Sequence, residues 1–444
     1  MRPDRKTPRR KAPRRKAPRR KTPDRKTSRK TGRKTRARTG ILCVHSSNEM
    51  YGADRVLLQV VQAVPPDRRQ DVVVWLPPAP EAGSQAQQDG PVQGRLAREL
   101  QRLGIRHSQR SLPILRRRLV SARGVLTLAA QLVSVLPALI RLRPQVLYCS
   151  TSAVLLLAPA ARLLGVPRVV LHVQEIWSGP EAAVLRVMSR FATDWIAISR
   201  ASAASWPPGI VDRVQVIPNG VEDRGPRPAG AAVGRPAAGG TAGSEPGRTQ
   251  RGNLAKVQPP DGSESEPLRF LMAGRWNAWK GHEFLLRAWD AGDPPGILTI
   301  LGGPPDTGTG VDVAGLVAAL RHPESVDIVG EVPEITGYVD AADVMVVPST
   351  APEPFGLVAI EAFARCRPVV GSNAGGLADV VTQGVTGWLY DPGDLAGLSA
   401  VLRRLDRPTA RVVGKLARRA YEEQYTATLF RENLGAWWKQ VVES

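Results

Sequence analysis

A chain of 444 residues is long enough for two domains of ordinary size, and its formal net charge of +22 first suggests a nucleic-acid binder. The charge is concentrated at one end: residues 1–40 hold 20 of the 62 Lys and Arg and 2 of the 40 Asp and Glu, a net +18, which leaves +4 for residues 41–444. The near-neutral remainder excludes a bulk-charge argument for nucleic acid in the folded part, so its partner has to be read from sites.

In chain order, residues 1–40 repeat the theme "RRKAPRRKAPRRKTPDRK", which supplies no apolar core and predicts a disordered basic tail. Such a tail either binds a polyanion (nucleic acid, anionic lipid, acidic polymer) or is simply solvated. It has no apolar run behind its charges, so it does not read as a secretory signal. From residue 41 short apolar strands alternate with helical patterns. "ILCVHS" (41–46), "DVVVWL" (71–76), "QVLYCS" (145–150), "RVVLHV" (168–173), "DWIAIS" (194–199) and "RVQVIP" (213–218) are the strands. The intervening helices include "ADRVLLQVVQAV", "RLARELQRLG" and a long one ending near Arg143. The most apolar stretch, 125–140, contains Gln131, Ser134 and Pro137 and reads as short and polar for a membrane span of roughly 20 residues. Its neighbourhood, "LRRRLVSARGVLTLAAQL" (115–132), sets cations beside an apolar helix, which suits either contact with anionic lipid or a core-packed helix with a charged entry.

Residues 224–267 are rich in Gly, Pro, Ala and Ser and predict a flexible interdomain segment. The alternation then restarts, with strands at 268–274, 296–301, 325–330, 343–349, 367–372 and 387–390 and three successive helices over 394–442. The fold class is therefore α/β: two Rossmann-like, doubly wound parallel-sheet domains facing a cleft, with ligand expected at the carboxyl ends of the strands. The boundaries read 41–223 and 268–424, with a helix in 425–444 that packs back on the first domain. Cys43, Cys149 and Cys366 are far apart and the five histidines have no metal spacing, which fits a reducing cytosol and argues against a disulfide scaffold or a zinc site.

Neither half carries a G-x-G-x-x-G or P-loop pattern. "AGRWNAWKGHE" instead places Arg275 and Lys280 after a strand, where two cations suit a diphosphate. A pair of surface cations at a helix entry accounts for them equally. In "STAPEPFGLVAIEAF" a strand ends at Ser349 and a helix begins near Phe355 or Gly356, so Glu353 lies before the helix and Glu361 about one and a half turns into it. Carboxylates accept hydrogen bonds from paired sugar hydroxyls, and a helix start attracts phosphate. Hydroxyls, phosphate, hydroxyls describes a nucleotide sugar. The competing reading has Glu353 as a dipole partner of the helix start and Glu361 salt-bridged to a neighbour. Gly52, just after the first strand, would admit a phosphate or be an ordinary turn. His172 and Glu175, at the end of another strand, would face the cleft or be structural.

Taken together these stretches resemble the retaining glycosyltransferases of family 4, which have the GT-B fold, and the resemblance covers most of residues 41–440. "EPFGLVAIEAF" is similar to that family's E-x7-E motif and "GRWNAWKG" to its Arg/Lys diphosphate motif. "VIPNGV" (216–221) is similar to the entry into its interdomain linker, "GGLADVV" (375–381) to its G-G-x-x-E segment with Asp379 in the acidic place, and "HSSNEMYGADRVLL" to its first-loop glycine region. The resemblance implies a metal-independent hexosyltransferase that needs no cofactor beyond its nucleotide diphosphate sugar donor. Residues 41–223 would carry the acceptor and 268–424 the donor. Glu353 would hold the hexose hydroxyls and Glu361 the ribose. Arg275, Lys280 and the amides of Gly356, Leu357 and Val358 would bind the diphosphate, with Gly52 facing it from the other domain. Gly330, Glu331 and Val332 would meet the base, and His172 would sit near the anomeric carbon. Many relatives read H-V-H-E where this chain has His172-Val173-Gln174-Glu175, which leaves open which position carries the functional imidazole.

The acceptor is an unidentified hydroxyl, on a cell-surface glycan, a glycolipid or a small molecule. The site expected is cytoplasmic, with peripheral contact to the inner face of an anionic membrane, or to a polyanion, through residues 1–40. No specific nucleic-acid site is read in the folded part. Two alternatives stand beside this reading: a polyanion binder acting through its tail, and another GT-B chemistry such as a nucleotide-sugar epimerase or phosphorylase.

Overall fold

The computed structural model describes residues 40–79, 94–115, 122–179, 181–225, 267–294, 296–305 and 310–443. The basic tail and the interdomain segment read from the sequence lie outside these described residues, apart from 40, 224, 225 and 267.

The first domain runs β1 (Ile41–Val44), α1 (Gly52–Ala63), α2 (Pro66–Arg69), β2 (Val72–Leu76), α3 (Arg95–Arg102), β3 (Arg106–Gln109) and α4 (Ala122–Leu142). It continues with β4 (Val146–Cys149), α5 (Leu157–Leu163), β5 (Arg168–Val173), α6 (Glu181–Ser189), β6 (Asp194–Ala197), α7 (Arg200–Ala204) and β7 (Gln215–Val216). Its seven strands are all parallel, in the order β3-β2-β1-β4-β5-β6-β7. Strands such as "ILCV" are buried along their whole length because both faces are covered, as parallel sheets require. Side chains alternate between the two faces: in β5, Val169, Leu171 and Val173 enter the core beneath α4, α5 and α6, whereas Val170 enters the core beneath α1 and α3.

The second domain runs β8 (Leu268–Ala273), α8 (His282–Gly292), β9 (Gly296–Leu301), α9 (Val313–Ala318), β10 (Val326–Gly330), α10 (Thr336–Ala341) and β11 (Val344–Val347). It continues with α11 (Leu357–Phe363), β12 (Val369–Ser372), α12 (Leu377–Val380), β13 (Gly387–Tyr390), α13 (Leu395–Arg404), α14 (Arg407–Gln424) and α15 (Ala427–Glu443). Its six parallel strands are ordered β10-β9-β8-β11-β12-β13. In both sheets the order reverses beside the first strand, which sets a crevice at the carboxyl ends of β1 and β4, and of β8 and β11.

The chain returns to the first domain through α15. Phe430, Leu434, Trp437 and Trp438 enter the α1-side core, where Trp438 packs at a tilt against Tyr148 with ring centroids 5.3 Å apart. At the crossing, Val221 N donates to Tyr425 O at 3.0 Å and Ala427 N to Val221 O at 2.8 Å. A β-carbon on Gly220 would lie 2.4 Å from the carbonyl oxygen of Thr426, so "PNG" needs its glycine for this close approach.

Two elements differ from the sequence reading. β3 was not expected: "RHSQ" has no apolar alternation, and as an edge strand it is held by its backbone pairing to β2. α4 ends at Leu142, close to the end near Arg143 read for the long helix, but where the 125–140 stretch reads as short and polar for a span, Arg123–Leu142 is by length and composition apolar enough to cross a membrane.

Candidate functional site

The crevice is built from loops at the carboxyl ends of β1, β8, β10 and β11. After β11, Pro352 and Pro354 stiffen a connection that bends at Pro354 and Phe355 before Gly356, at φ +92°, opens α11. Glu353 is pinned by its backbone: its carbonyl accepts from Gly376 N at 2.7 Å, and Gly375, at φ +64°, has no room for a side chain, since a β-carbon would lie 2.4 Å from that same oxygen. The Glu353 side chain is nearly buried. Lys280 Nζ lies 3.1 and 2.9 Å from its two oxygens, and Ser349 Oγ donates to Oε2 at 2.8 Å.

Lys280 comes from the β8–α8 loop, where Gly281 at φ +80° lets the chain pass under Pro348; a β-carbon there would sit 1.9 Å from the Pro348 carbonyl oxygen. The same loop carries Arg275, whose guanidinium lies 4.2 Å from the ring centre of Tyr51 in the first domain. Arg275 and Lys280 therefore reach the same crevice, one exposed and one paired. Gly330, at φ +93°, ends β10 beside this loop: its carbonyl accepts from Gly302 N at 2.8 Å, and Glu331 neighbours Gly303. Glu331 is exposed and Val332 half-buried.

Glu361 lies on α11, and its Oε1 accepts from Arg55 Nη1 of α1 at 3.0 Å. Burial raises the Glu361 pKa above the usual carboxylate range, and the Arg55 charge offsets part of that rise. Gly52, the first residue of α1, packs so closely on Leu357, the first of α11, that a β-carbon would lie 2.7 Å from Leu357 Cδ1. The two helix starts thus meet across the crevice. Further along, Ser199 Oγ donates to Pro354 O at 2.7 Å, and Arg200 N donates to Asp379 Oδ2 at 3.1 Å.

His172 is not brought to the open crevice. It shares the face of β5 that Val170 turns toward α1 and α15, its ring is fully buried, and Nδ1 is 2.6 Å from the Tyr148 hydroxyl. Burial pushes its pKa down to about 3, so the ring is neutral. The next residues do face the β4 end: Gln174 Nε2 donates to Ser150 O at 2.8 Å, and Glu175 accepts from Ser152 Oγ at 2.9 Å and from Gln174 N at 3.2 Å. Burial raises the Glu175 pKa despite these hydrogen bonds.

Sequence reasoning missed a buried cluster at the end of β1. His45 Nε2 is 3.1 Å from Asp54 Oδ1 and Nδ1 is 2.9 Å from Ser150 Oγ, while Asp54 Oδ2 accepts from Tyr51 N at 2.9 Å. Burial works against the Asp54 charge, but the hydrogen bond and charge of His45, with hydrogen bonds from the Tyr51 amide and Ser47, together hold the pKa below the usual range. This cluster fixes the β1–α1 loop that presents Tyr51, Gly52 and Arg55. The signal was available: His45 and Asp54 flank the loop singled out for Gly52.

Residues 256–420 match the family model described as Glycosyl transferases group 1. D-inositol 3-phosphate glycosyltransferase 2 of Catenulispora acidiphila is 34% identical over 196 residues, covering 37% of this chain and 44% of that protein. The chain spans less than half the length of the curated relatives it matches. Among solved structures, Anabaena HepE in complex with UDP-glucose superposes with a TM-score of 0.69 at 20% identity, over 90% of this chain and 99% of that one. Sucrose-phosphate synthase from Thermosynechococcus elongatus gives a TM-score of 0.69 at 19% identity, over 91% and 100%. These likenesses make the fold GT-B, with two Rossmann-like domains facing a cleft as the sequence predicts, and they support the glycosyltransferase superfamily.

Proposed function

We propose that this protein is a glycosyltransferase that moves a hexosyl unit from a nucleotide diphosphate sugar to a hydroxyl acceptor with retention of anomeric configuration. The observation that carries the reading is the Lys280–Glu353 pair. A cation and a nearly buried carboxylate are held within 3.1 Å of one another between two backbone-pinned loops, with Arg275 on one and the start of α11 on the other. The Glycosyl transferases group 1 match over these same loops, the UDP-glucose bound by Anabaena HepE and the inositol phosphate glycosyltransferase relative support it.

In this reading the diphosphate takes Lys280 and Arg275, with the Gly356, Leu357 and Val358 amides and Gly52 around it. Glu353, released from Lys280, accepts from hexose hydroxyls, and Glu361 accepts from the ribose. Gly330, Glu331 and Val332 border the base. As the anomeric C–O bond breaks, its electrons pass to the leaving phosphate oxygen, where the two fixed cations stabilise the charge without a metal. The acceptor oxygen bonds to the anomeric carbon from the same face, and its proton passes to the leaving phosphate. His172, closed in the core, is given no step.

A thermal-shift screen of UDP-, GDP- and ADP-sugars tests the donor. One class is expected to stabilise the protein, and Glu361→Ala or Lys280→Ala to abolish the shift. A chain stabilised by no nucleotide sugar would sink the reading. Proton NMR of the first product formed decides between retention and inversion.

A further inference from the structure

We propose that the outer layer of the first domain, centred on α4, is a docking surface for an anionic lipid bilayer. From Leu100 to Gln174 the sequence contains no Asp or Glu and eleven Arg. This run falls in a body, residues 41–444, whose net charge is only +4, so the remainder of that body is net acidic.

The structure shows what lies between those arginines. α4 buries one stripe (Leu128, Val135, Leu139) in the core of its own domain and turns the opposite stripe outward. Leu126 is 70% exposed, Val133 63% and Ile140 48%, at successive seven-residue steps. The neighbouring helices extend the patch through Leu163 on α5, 86% exposed, and Val187 on α6, 50% exposed. Such a contiguous apolar surface is uncommon on a protein that meets only water. Two hydroxyls interrupt the outward face of α4, and both are satisfied within the helix: Thr127 Oγ1 donates to Arg123 O at 2.9 Å and Ser134 Oγ to Gln131 O at 2.7 Å. They need no water, so the whole face can enter an apolar medium. Exposed Arg123 and Arg141 bracket it, roughly 27 Å apart along the helix at 1.5 Å per residue. Where the end of α4 meets the end of α5, Ile140, Leu164 and Arg143 line a groove of about 320 Å³.

The same residues decide the mode of contact and the partner. α4 lies on the bilayer rather than crossing it, because spanning would pull Leu128, Val135 and Leu139 out of the core. A second copy of the chain is disfavoured: a two-fold contact through α4 would set arginine against arginine, with no carboxylate on that helix to pair them. Apolar side chains flanked by the guanidinium groups of Arg123, Arg141 and Arg143 fit acyl chains beneath anionic headgroups. This surface is distinct from the basic tail.

The test uses the full chain and vesicles of phosphatidylcholine with or without phosphatidylglycerol. The tail will attract anionic vesicles at low salt, so binding is read at about 0.5 M salt, where the screening length is only roughly 4 Å. Wild type should stay bound to the anionic vesicles. Leu126→Ser/Val133→Ser/Ile140→Ser, all at exposed positions, should partition about tenfold less or weaker still. A dye on Val133→Cys, in a Cys366→Ser background, should shift to the blue on vesicle addition, whereas a dye on Val412→Cys in the second domain should not. Equal binding by the triple variant, or equal dye responses at the two positions, overturns the proposal. So does a lipid-free dimer that the triple variant abolishes, which would assign the face to a second copy.

Discussion

Replacing Arg55 by Gln should tighten nucleotide-sugar binding, although Arg55 lies in the crevice and is cationic. In the structure its guanidinium occupies Glu361 at 3.0 Å, the carboxylate proposed to hold the ribose. Ribose hydroxyls can reach that oxygen only after the pair opens, so the pair competes with the donor. Its side chains are 47% and 21% exposed. Solvent screening at such exposure limits the pair to about 0.2–1 kcal/mol. Removing the competitor should therefore raise affinity between about 1.4- and 5-fold, since 1.4 kcal/mol is tenfold. The assay is calorimetric titration of the stabilising nucleotide sugar at fixed ionic strength, with Glu361→Gln as the opposite control, expected to weaken binding. A threefold or greater loss of affinity in Arg55→Gln would refute the reasoning, because it would mean that Arg55 turns to the diphosphate and belongs to the donor site.

The Lys280–Glu353 pair, with side chains 23% and 11% exposed, should show a coupling of about 1–2 kcal/mol in a Lys280→Met/Glu353→Gln double-mutant cycle read by urea denaturation; additive single effects would contradict the pairing. Burial lowers the pKa of His172 to about 3 and of His282 to about 4 from the usual 6.5. Below 6.5 the unfolded chain therefore binds more protons than the folded one, and stability present above that pH is lost as pH falls. Melting curves should show this loss, and His172→Gln should flatten it by up to roughly 1.4 kcal/mol per pH unit. Gly281→Ala, forced against the Pro348 carbonyl, should lower the melting temperature sharply and abolish the donor shift. Gly384→Ala, also at positive φ but with open space around it, should lose only about 1 kcal/mol and keep the shift.

The architecture was legible because parallel strands buried on both faces leave uninterrupted apolar runs, such as "VVVWL" and "VMVV". β3 escaped for the converse reason, since an edge strand can be specified by backbone pairing and needs no pattern. Lys280 and Glu353 were legible as crevice residues because each stands on a short loop whose geometry the prolines and glycines announce, and Glu361 because it follows on the helix that the second loop opens. Their partners across the crevice were not. Arg55 and Glu361 are 306 positions apart, and nothing local to α1 marks Arg55 out from any other helical arginine. His172 shows the limit of placing a residue at a strand end. Alternation along β5 decides whether it faces ligand or core, and that depended on which face α15 returns to cover.

The energetic difficulty of carboxylates in an apolar run is met here by exchange rather than by permanent pairing. Glu353 has Lys280 and Ser349, Glu361 has Arg55, and Asp379 has the Arg200 amide. Two of these partners come from the other domain, and Arg275 in turn rests on the Tyr51 ring of the first domain. Each of these carboxylates is thus already satisfied by a neighbour that can let go. Donor binding then substitutes one set of hydrogen bonds for another and leaves no buried charge stranded at any stage. The same exchange ties donor occupancy to the distance between the domains. Opening the crevice breaks Arg55–Glu361, Ser199–Pro354 and Arg200–Asp379 together, and the proposed donor would replace the first of them. Closure is therefore driven by the ligand only to the extent that its contacts exceed these three, and for Arg55 that excess is what the titration measures.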